Sequence, residues 1–201
     1  MSEKEKYNPD DDYELVSLCK KGDIEAFEAL VIKHQKKMFN IAFRMVNNYE
    51  DACEIVQDAF FSAYKGMQSF EKRSSFQTWL CTIVINTSRN RLQQIRTKLS
   101  HEQFSLDVPL LTNSSSIKFE LASDCPSAAE QLEKKEMQAR VQGCIKTLDT
   151  DFKEVLILRD IQGFSYDEIS DMLSIAQGTV KSRLFRAREH MKKCLLKVFG
   201  E

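Results

Sequence analysis

The chain has 201 residues, room for one medium domain or two small ones. With 42% hydrophobic and 29% charged residues and a formal net charge of −1, it has the composition of an ordinary soluble globular protein. No apolar run reaches the roughly 18 residues of a membrane span, and the opening MSEKEKYNPDDD lacks the apolar core of a signal peptide, so a cytoplasmic protein is expected.

Only 6 Gly and 3 Pro, with no strand-like alternation, predict an all-α fold. Asp11 with Glu14 starts a helix through Cys19 that Gly22 ends. Asp23 caps the next helix, in which Phe27, Leu30, Val31, His34, Met38, Ile41, Ala42 and Met45 keep helical spacing. Asn47 and Asn48 close it, and Asn48 caps a third helix from Tyr49 to about Met67. After the polar loop Ser69 to Ser75, Ser74 with Gln77 makes a capping-box pattern for a fourth helix to Lys98. Its apolar body is Phe76, Trp79, Leu80, Ile83 and Val84.

From Leu99 to Pro126 the periodicity dissolves into Ser/Asn clusters with two prolines. That is too long for a loop inside one compact domain and reads as an interdomain linker, either disordered or lying against a partner through its apolar patches. Ser127 with Glu130 then opens a helix to Leu148, Asp149-Thr150 caps one from Asp151 to Ile161, and Ser165 with Glu168 starts Tyr166 to Leu173. Thr179 to Phe199 forms the last helix. The expected organisation is two helical domains, 8–98 and 127–201, joined by the linker 99–126.

Charge is uneven along the chain. From Lys72 to Lys98 there are six Lys or Arg and no acid; from Lys181 to Lys197 there are seven against Glu189 alone. Two basic stripes on a near-neutral chain point to two contacts with a polyanion, although one such stripe alone fits a solvated helix face.

The cysteines Cys19, Cys53, Cys81, Cys125, Cys144 and Cys194 form no C-x-x-C pair and are expected to be mostly buried free thiols. His34, His101 and His190 show no ligand spacing, so neither a metal nor another cofactor is expected. Paired catalytic carboxylates, a nucleophile with its base, a phosphate loop and a dinucleotide fingerprint are all missing, and an enzyme is a poor reading.

YDEISDMLSI, a Gly-containing turn and TVKSRLFRAREHMKK make a helix-turn-helix pattern. At about 100° per residue, Val180, Leu184, Ala187 and Met191 share one face, suited to packing on Ile169 and Leu173. The opposite face carries Ser182, Phe185, Arg186 and Glu189, with Lys181 on its flank. Arg186 suits a guanine edge, Phe185 a thymine methyl, and Ser182 a base or phosphate. Arg183 and Arg188 project toward phosphates, and Thr179 with the helix N-terminus offers another phosphate site. A regulator acting as its own dimer would explain this half of the chain, but not the aromatic, basic fourth helix or the long linker.

The run LDTDFKEVLILRDIQGFSYDEISDMLSIAQGTVKSRLFRARE resembles region 4 of the extracytoplasmic-function (ECF) sigma factors of the sigma-70 family. EIVQDAFFSAYKGMQSFEKRSSFQTWLCTIVINTSRN resembles their region 2, and the likeness extends to CKKGDIEAFEALV. The resemblance implies an alternative sigma factor that binds core RNA polymerase and directs promoter-specific transcription initiation. Region 2 would grip the polymerase clamp helices through Glu54, Gln57, Asp58 and Phe61 and recognise melted −10 DNA. The family's specificity loop maps to Phe70 to Phe76, where Phe70, Phe76 and Trp79 are suited to line a pocket for a flipped base, with Lys72 and Arg73 beside it. Asn86, Arg89 and Arg91 would meet the strand; Trp79 fits the core as well as the pocket. Region 4 would read the −35 duplex and hold the polymerase flap, and the linker would thread the cleft toward the RNA exit channel. No region 1.1 or region 3 domain fits in this length. Chain charge and family habit also imply an anti-sigma factor covering both domains. Asp149 stands where the family often has proline, and the loop reads EKRSS without the common Gly-Asp, which leaves the identity of the −10 base open.

Overall fold

Short polar side chains set most of the helix starts. A side-chain oxygen just ahead of a helix satisfies an N–H that the first turn leaves without a carbonyl. In a computed structural model of the chain, which describes residues 11–71, 74–102 and 128–200, Asp11 accepts the Tyr13 N–H and opens α1, Asp12–Lys20. Asp23 accepts from Ala26 and opens α2, Ile24–Val46, which Asn47 ends with φ 55°. Asn48 accepts from Asp51 and opens α3, Tyr49–Gly66, followed by a single tight turn, Met67–Ser69.

The fourth start differs from the expected box. Ser75, not Ser74, accepts the Thr78 N–H at 3.0 Å, and α4 runs Phe76–Glu102. Burying Phe76 at the first helical position leaves Ser75 facing that N–H. Helix α4 thus continues past Lys98 into the expected linker, whose remainder lies outside the described residues, as does the expected Ser127 cap.

In the second half, α5 is Ala128–Lys146, α6 is Thr150–Leu156 prolonged by a π turn over Ile157–Ile161, α7 is Tyr166–Leu173, and α8 is Gln177–Phe199. Asp149 occupies the cap of α6 but makes no side-chain bond; its carbonyl takes the Phe152 and Lys153 N–H groups instead. Ser165 and Glu168 form the expected reciprocal box. Helix α8 starts two residues ahead of Thr179. Among the described residues there is no strand.

The apolar stripes pack around two centres of one continuous hydrophobic core. Leu15, Leu30, Met38, Ile41, Ile55 and Leu80 are fully or almost fully buried among α1 to α4, and Ile145, Ile157, Leu158, Ile169, Val180 and Leu184 among α5 to α8. Cys19 and Cys81 are the expected buried thiols, pushed by burial up to about 11 and about 12. Cys53 is free and exposed. Cys144 and Cys194 depart from the expectation of free thiols, because they form a disulfide between α5 and α8. They lie 50 residues apart in sequence, and only helix packing brings their Cα atoms to 5.8 Å.

His34 is a polar group at the first of the two centres. Its Nε2 lies 2.9 Å from Asp12 Oδ2, beside the Phe76 ring. Burial lowers its pKa below 6.5 and outweighs the opposing pull of Asp12, with Lys33 and Lys37 lowering it further. The unfolded chain therefore takes up the proton first. The stability due to neutral His34 is present above about 6.5 and is lost as the pH falls through the folded value. Denaturant midpoints should drop between pH 7.5 and 5.5, and His34→Asn should flatten that dependence.

Candidate nucleic-acid interface

Helices α7 and α8 build a reading surface around a buried seam. Val180, Leu184, Ala187 and Met191 of α8 are buried with Ile169, Met172 and Leu173 of α7. Because the seam takes one face of α8, Lys181, Ser182, Phe185, Arg186 and Glu189 stand in solvent on the other. Phe185 is 68% exposed beside Arg186, which sets an apolar ring and a cation side by side in solvent. Arg186 makes no ion pair among the described residues. Lys181 leans over the Tyr166 ring at 5.7 Å.

The flanking arginines are committed elsewhere. Arg183 pairs with Asp151 at 2.5 Å, tying α8 to α6. Arg188 holds both oxygens of Asp160 at 2.9 and 2.6 Å, tying α8 to the π turn. Arg159 donates to the Phe164 carbonyl and stacks on Tyr166, fixing the turn into α7. Thr179 lies inside the first turn of α8, its N–H already given to Ala176 and its carbonyl accepting the Ser182 hydroxyl.

In the first half, Glu54, Gln57, Asp58 and Phe61 lie on one exposed face of α3, opposite the buried Ala52, Ile55, Ala59 and Ala63. Phe61 is 58% exposed, with the Lys65 ammonium 4.1 Å from its ring centre. Phe70, Phe76 and Trp79 do cluster, with ring centres 4.8 to 6.2 Å apart. Phe70 and Phe76 are buried, and of the three only Trp79 is half-buried. Gly66 makes room for that indole, since a Cβ there would meet Trp79 Cζ2 at 3.3 Å. Lys72 and Arg73 lie outside the described residues. Asn86 is exposed, not set among apolar groups, and its Oδ1 accepts from Arg89 at 3.4 Å. Arg91 turns to α3, pairing with Asp51 and, at 3.0 Å, Glu54.

Comparison with known proteins decides what this pair of halves is. Residues 30–97 match the family Sigma-70 region 2 and residues 138–191 the family Sigma-70, region 4. The chain is 33% identical over 191 residues to the RNA polymerase sigma-H factor of Pseudomonas aeruginosa, covering 94% of this chain and 96% of that protein. It is 33% identical over 179 residues to the ECF RNA polymerase sigma-E factor of Escherichia coli K12, covering 89% and 91%. The chain belongs to the sigma-70 family, among the ECF factors. CnrH, solved with the cytosolic domain of CnrY, superposes with TM-score 0.64 at 25% identity over 92% of this chain and 96% of that one. RpoE of Bartonella quintana, solved with the anti-sigma factor NepR, gives 0.61 at 25% identity over 84% and 96%. As a sigma factor it directs promoter-specific initiation by core RNA polymerase and is itself no enzyme.

The sigma factor's two regions are docked on each other, an arrangement the sequence did not announce. Arg89 of α4 donates to both oxygens of Glu154 of α6, at 2.6 and 2.5 Å, and Glu154 is 0% exposed. The Thr78 hydroxyl donates to Glu168 at 3.3 Å. The Ser165 N–H and hydroxyl, Thr78 and nearby Lys37 together hold the Glu168 carboxyl below its usual pKa. Arg44 donates to Gln142, which donates to Asn47, and the Lys37 ammonium lies 4.9 Å from the Phe164 ring centre. Each pair joins residues 65 or more positions apart, which no local pattern marks.

Glu154→Gln removes the charge that Arg89 neutralises. The cost should fall below the about 3–5 kcal/mol of breaking a fully buried pair, because a third of the Arg89 side chain stays in water. The regions should separate more readily, seen as a larger radius of gyration in solution scattering and a weaker dependence of that radius on salt.

Proposed function

We propose that the exposed face of α8 reads the −35 duplex while the head of α4 and the loop before it recognise melted −10 DNA. The observation that carries this is Phe185 beside Arg186, both in solvent on a helix whose other face is sealed. Arg186 supplies two donors to a guanine edge, Phe185 an apolar contact to a thymine methyl, and Lys181 and Ser182 flank them. Thr179, Arg183 and Arg188 serve at the phosphates only in so far as they leave their present partners, and Arg183 and Arg188 act first as struts that hold α8 at its angle.

In region 2, Phe70 and Phe76 support a pocket from below, and Trp79 offers the half-exposed wall on which a flipped base stacks. Asn86 and Arg89, further along α4, offer donors for the strand, and Lys72 and Arg73 are assigned to it with them. Glu54, Gln57, Asp58 and Phe61 form the grip on the polymerase clamp helices. An apolar groove of about 570 Å³ between α6 and the end of α8, walled by Leu156, Ile161, Met191, Leu195, Leu196 and Phe199, suits the polymerase flap. We assign residues 8–98 to region 2, 99–126 to the linker and 127–201 to region 4, place the protein in the cytoplasm where its polymerase is, and expect an anti-sigma partner like those in the CnrH and RpoE complexes.

Arg186→Ala should cost about 1–3 kcal/mol at a single −35 base pair and relax preference there. Run-off transcription with core enzyme over a promoter library reads this directly, and unchanged −35 selectivity would sink the assignment. Exchanging residues 70–76 for the loop of another ECF factor should move −10 preference and leave −35 preference alone. If selectivity tracks the linker instead, the pocket is elsewhere.

A further inference from the structure

The last two turns of α8 have little to hold them. Beyond Met191, only Cys194 and Leu195 are less than exposed; Lys192, Lys193, Leu196, Lys197, Val198 and Phe199 all face solvent. Helix α5 is in the same state at its near end, where residues 136–140 are exposed and packing begins at Val141. The two weak ends run antiparallel, because Arg140 lies over the Phe199 ring at 5.5 Å while Cys144, one turn further along α5, meets Cys194. The disulfide is therefore the clamp at the point where both helices leave the core.

We propose that Cys144 and Cys194 are a reversible redox switch that sets the order of the end of α8 and of the groove wall it forms. The pair differs from the other described cysteines: Cys19 and Cys81 are buried and pushed up to about 11 and about 12, and Cys53 is exposed but has no cysteine bonded to it. Cys144 is 1% exposed, whereas Cys194 is half-buried, with His190 and Lys197 on its side of α8. Cys194 is thus the sulfur open to attack.

Oxidation proceeds by exchange with a low-molecular-weight disulfide. The Cys194 thiolate attacks one sulfur of that disulfide, forming a mixed disulfide and releasing one small thiol. Cys144 then attacks the Cys194 sulfur, closing the bond and releasing the second. Two protein thiols and one small disulfide become one protein disulfide and two small thiols, and reduction runs the same steps backward. In a reducing compartment such a bond is a regulatory state and not a permanent brace.

The consequence for polymerase binding rests on the placement of the flap in the groove, whereas the switch does not. The test is on the full-length protein, equilibrated without denaturant in oxidised and in reduced glutathione. Peptide mass mapping after alkylation should show the Cys144–Cys194 link form and disappear reversibly. Amide exchange over residues 192–199 should speed up at least tenfold on reduction, and the melting temperature of region 4 should fall by about 10 °C or more, as expected for opening a long loop. Cys194→Ser should behave as reduced protein in both buffers, and Cys53→Ser should keep the response. A link that forms only in denaturant, or equal exchange over 192–199 in both states, overturns the proposal. Unequal exchange with equal affinity for core polymerase supports the switch and overturns the flap placement instead.

Discussion

The carboxylate of Glu154 is the charge on which the packed arrangement depends. Removed from water, it costs several kcal/mol unless a cation meets it with good geometry. Arg89 does so with two parallel donors, and it comes from the other region. Further polar pairs join the regions: Thr78 to Glu168, Arg44 through Gln142 to Asn47, Lys37 over Phe164. These polar pairs part at modest cost, because Glu154 and Arg89 regain water when they lose each other. In-chain contacts of this kind are the ones that permit domain motion.

Within region 4 the side chains around α8 divide into two sets by what they face. Arg183, Arg188 and Arg159 look inward along the surface, to Asp151, Asp160 and the Phe164 carbonyl, and together they brace α6, the π turn, α7 and α8. Lys181, Ser182, Phe185 and Arg186 look outward and brace nothing of comparable size. A basic stripe of seven residues thus reduces to a narrow reading edge carried on a stapled scaffold. Part of the positive charge that reads as a polyanion footprint in the sequence is spent in holding the helix at its angle.

What could be read from the sequence is what is decided within a few residues. Asp23, Asn48 and Ser165 mark helix starts correctly because a cap bond spans two or three residues, and the 3.6-residue period separates Val180, Leu184, Ala187 and Met191 from Phe185 and Arg186 without help from the rest of the chain. Ser74 and Ser75 are the instructive miss: two adjacent candidates differ only in which leaves Phe76 buried, a tertiary matter. Phe70 and Phe76 were legible as an aromatic cluster but not as buried, since exposure depends on tertiary packing. Arg89 with Glu154 and Cys144 with Cys194 lie 65 and 50 positions apart, and neither carries a local signature. The cysteine spacing pointed to free thiols for the reason that usually makes it right, the lack of a paired motif.

The docked arrangement also ranks the two DNA contacts proposed for this chain. The outward face of α8 stays in solvent while the regions are closed, so nothing within the chain prevents it from meeting a duplex. Arg89 is in the opposite position: it cannot serve a strand phosphate and Glu154 at once, and Thr78, about three turns before it on α4, is covered by α7. Duplex reading is therefore compatible with the closed form, and strand reading is not. A partner that draws the regions apart supplies the second contact by removing the first one's neighbour, and it must do so against a seam made of ion pairs and hydrogen bonds. On the proposed assignment of Arg89 to the −10 strand, promoter melting and domain separation share one step, because the side chain that closes the molecule is the one assigned to the open strand.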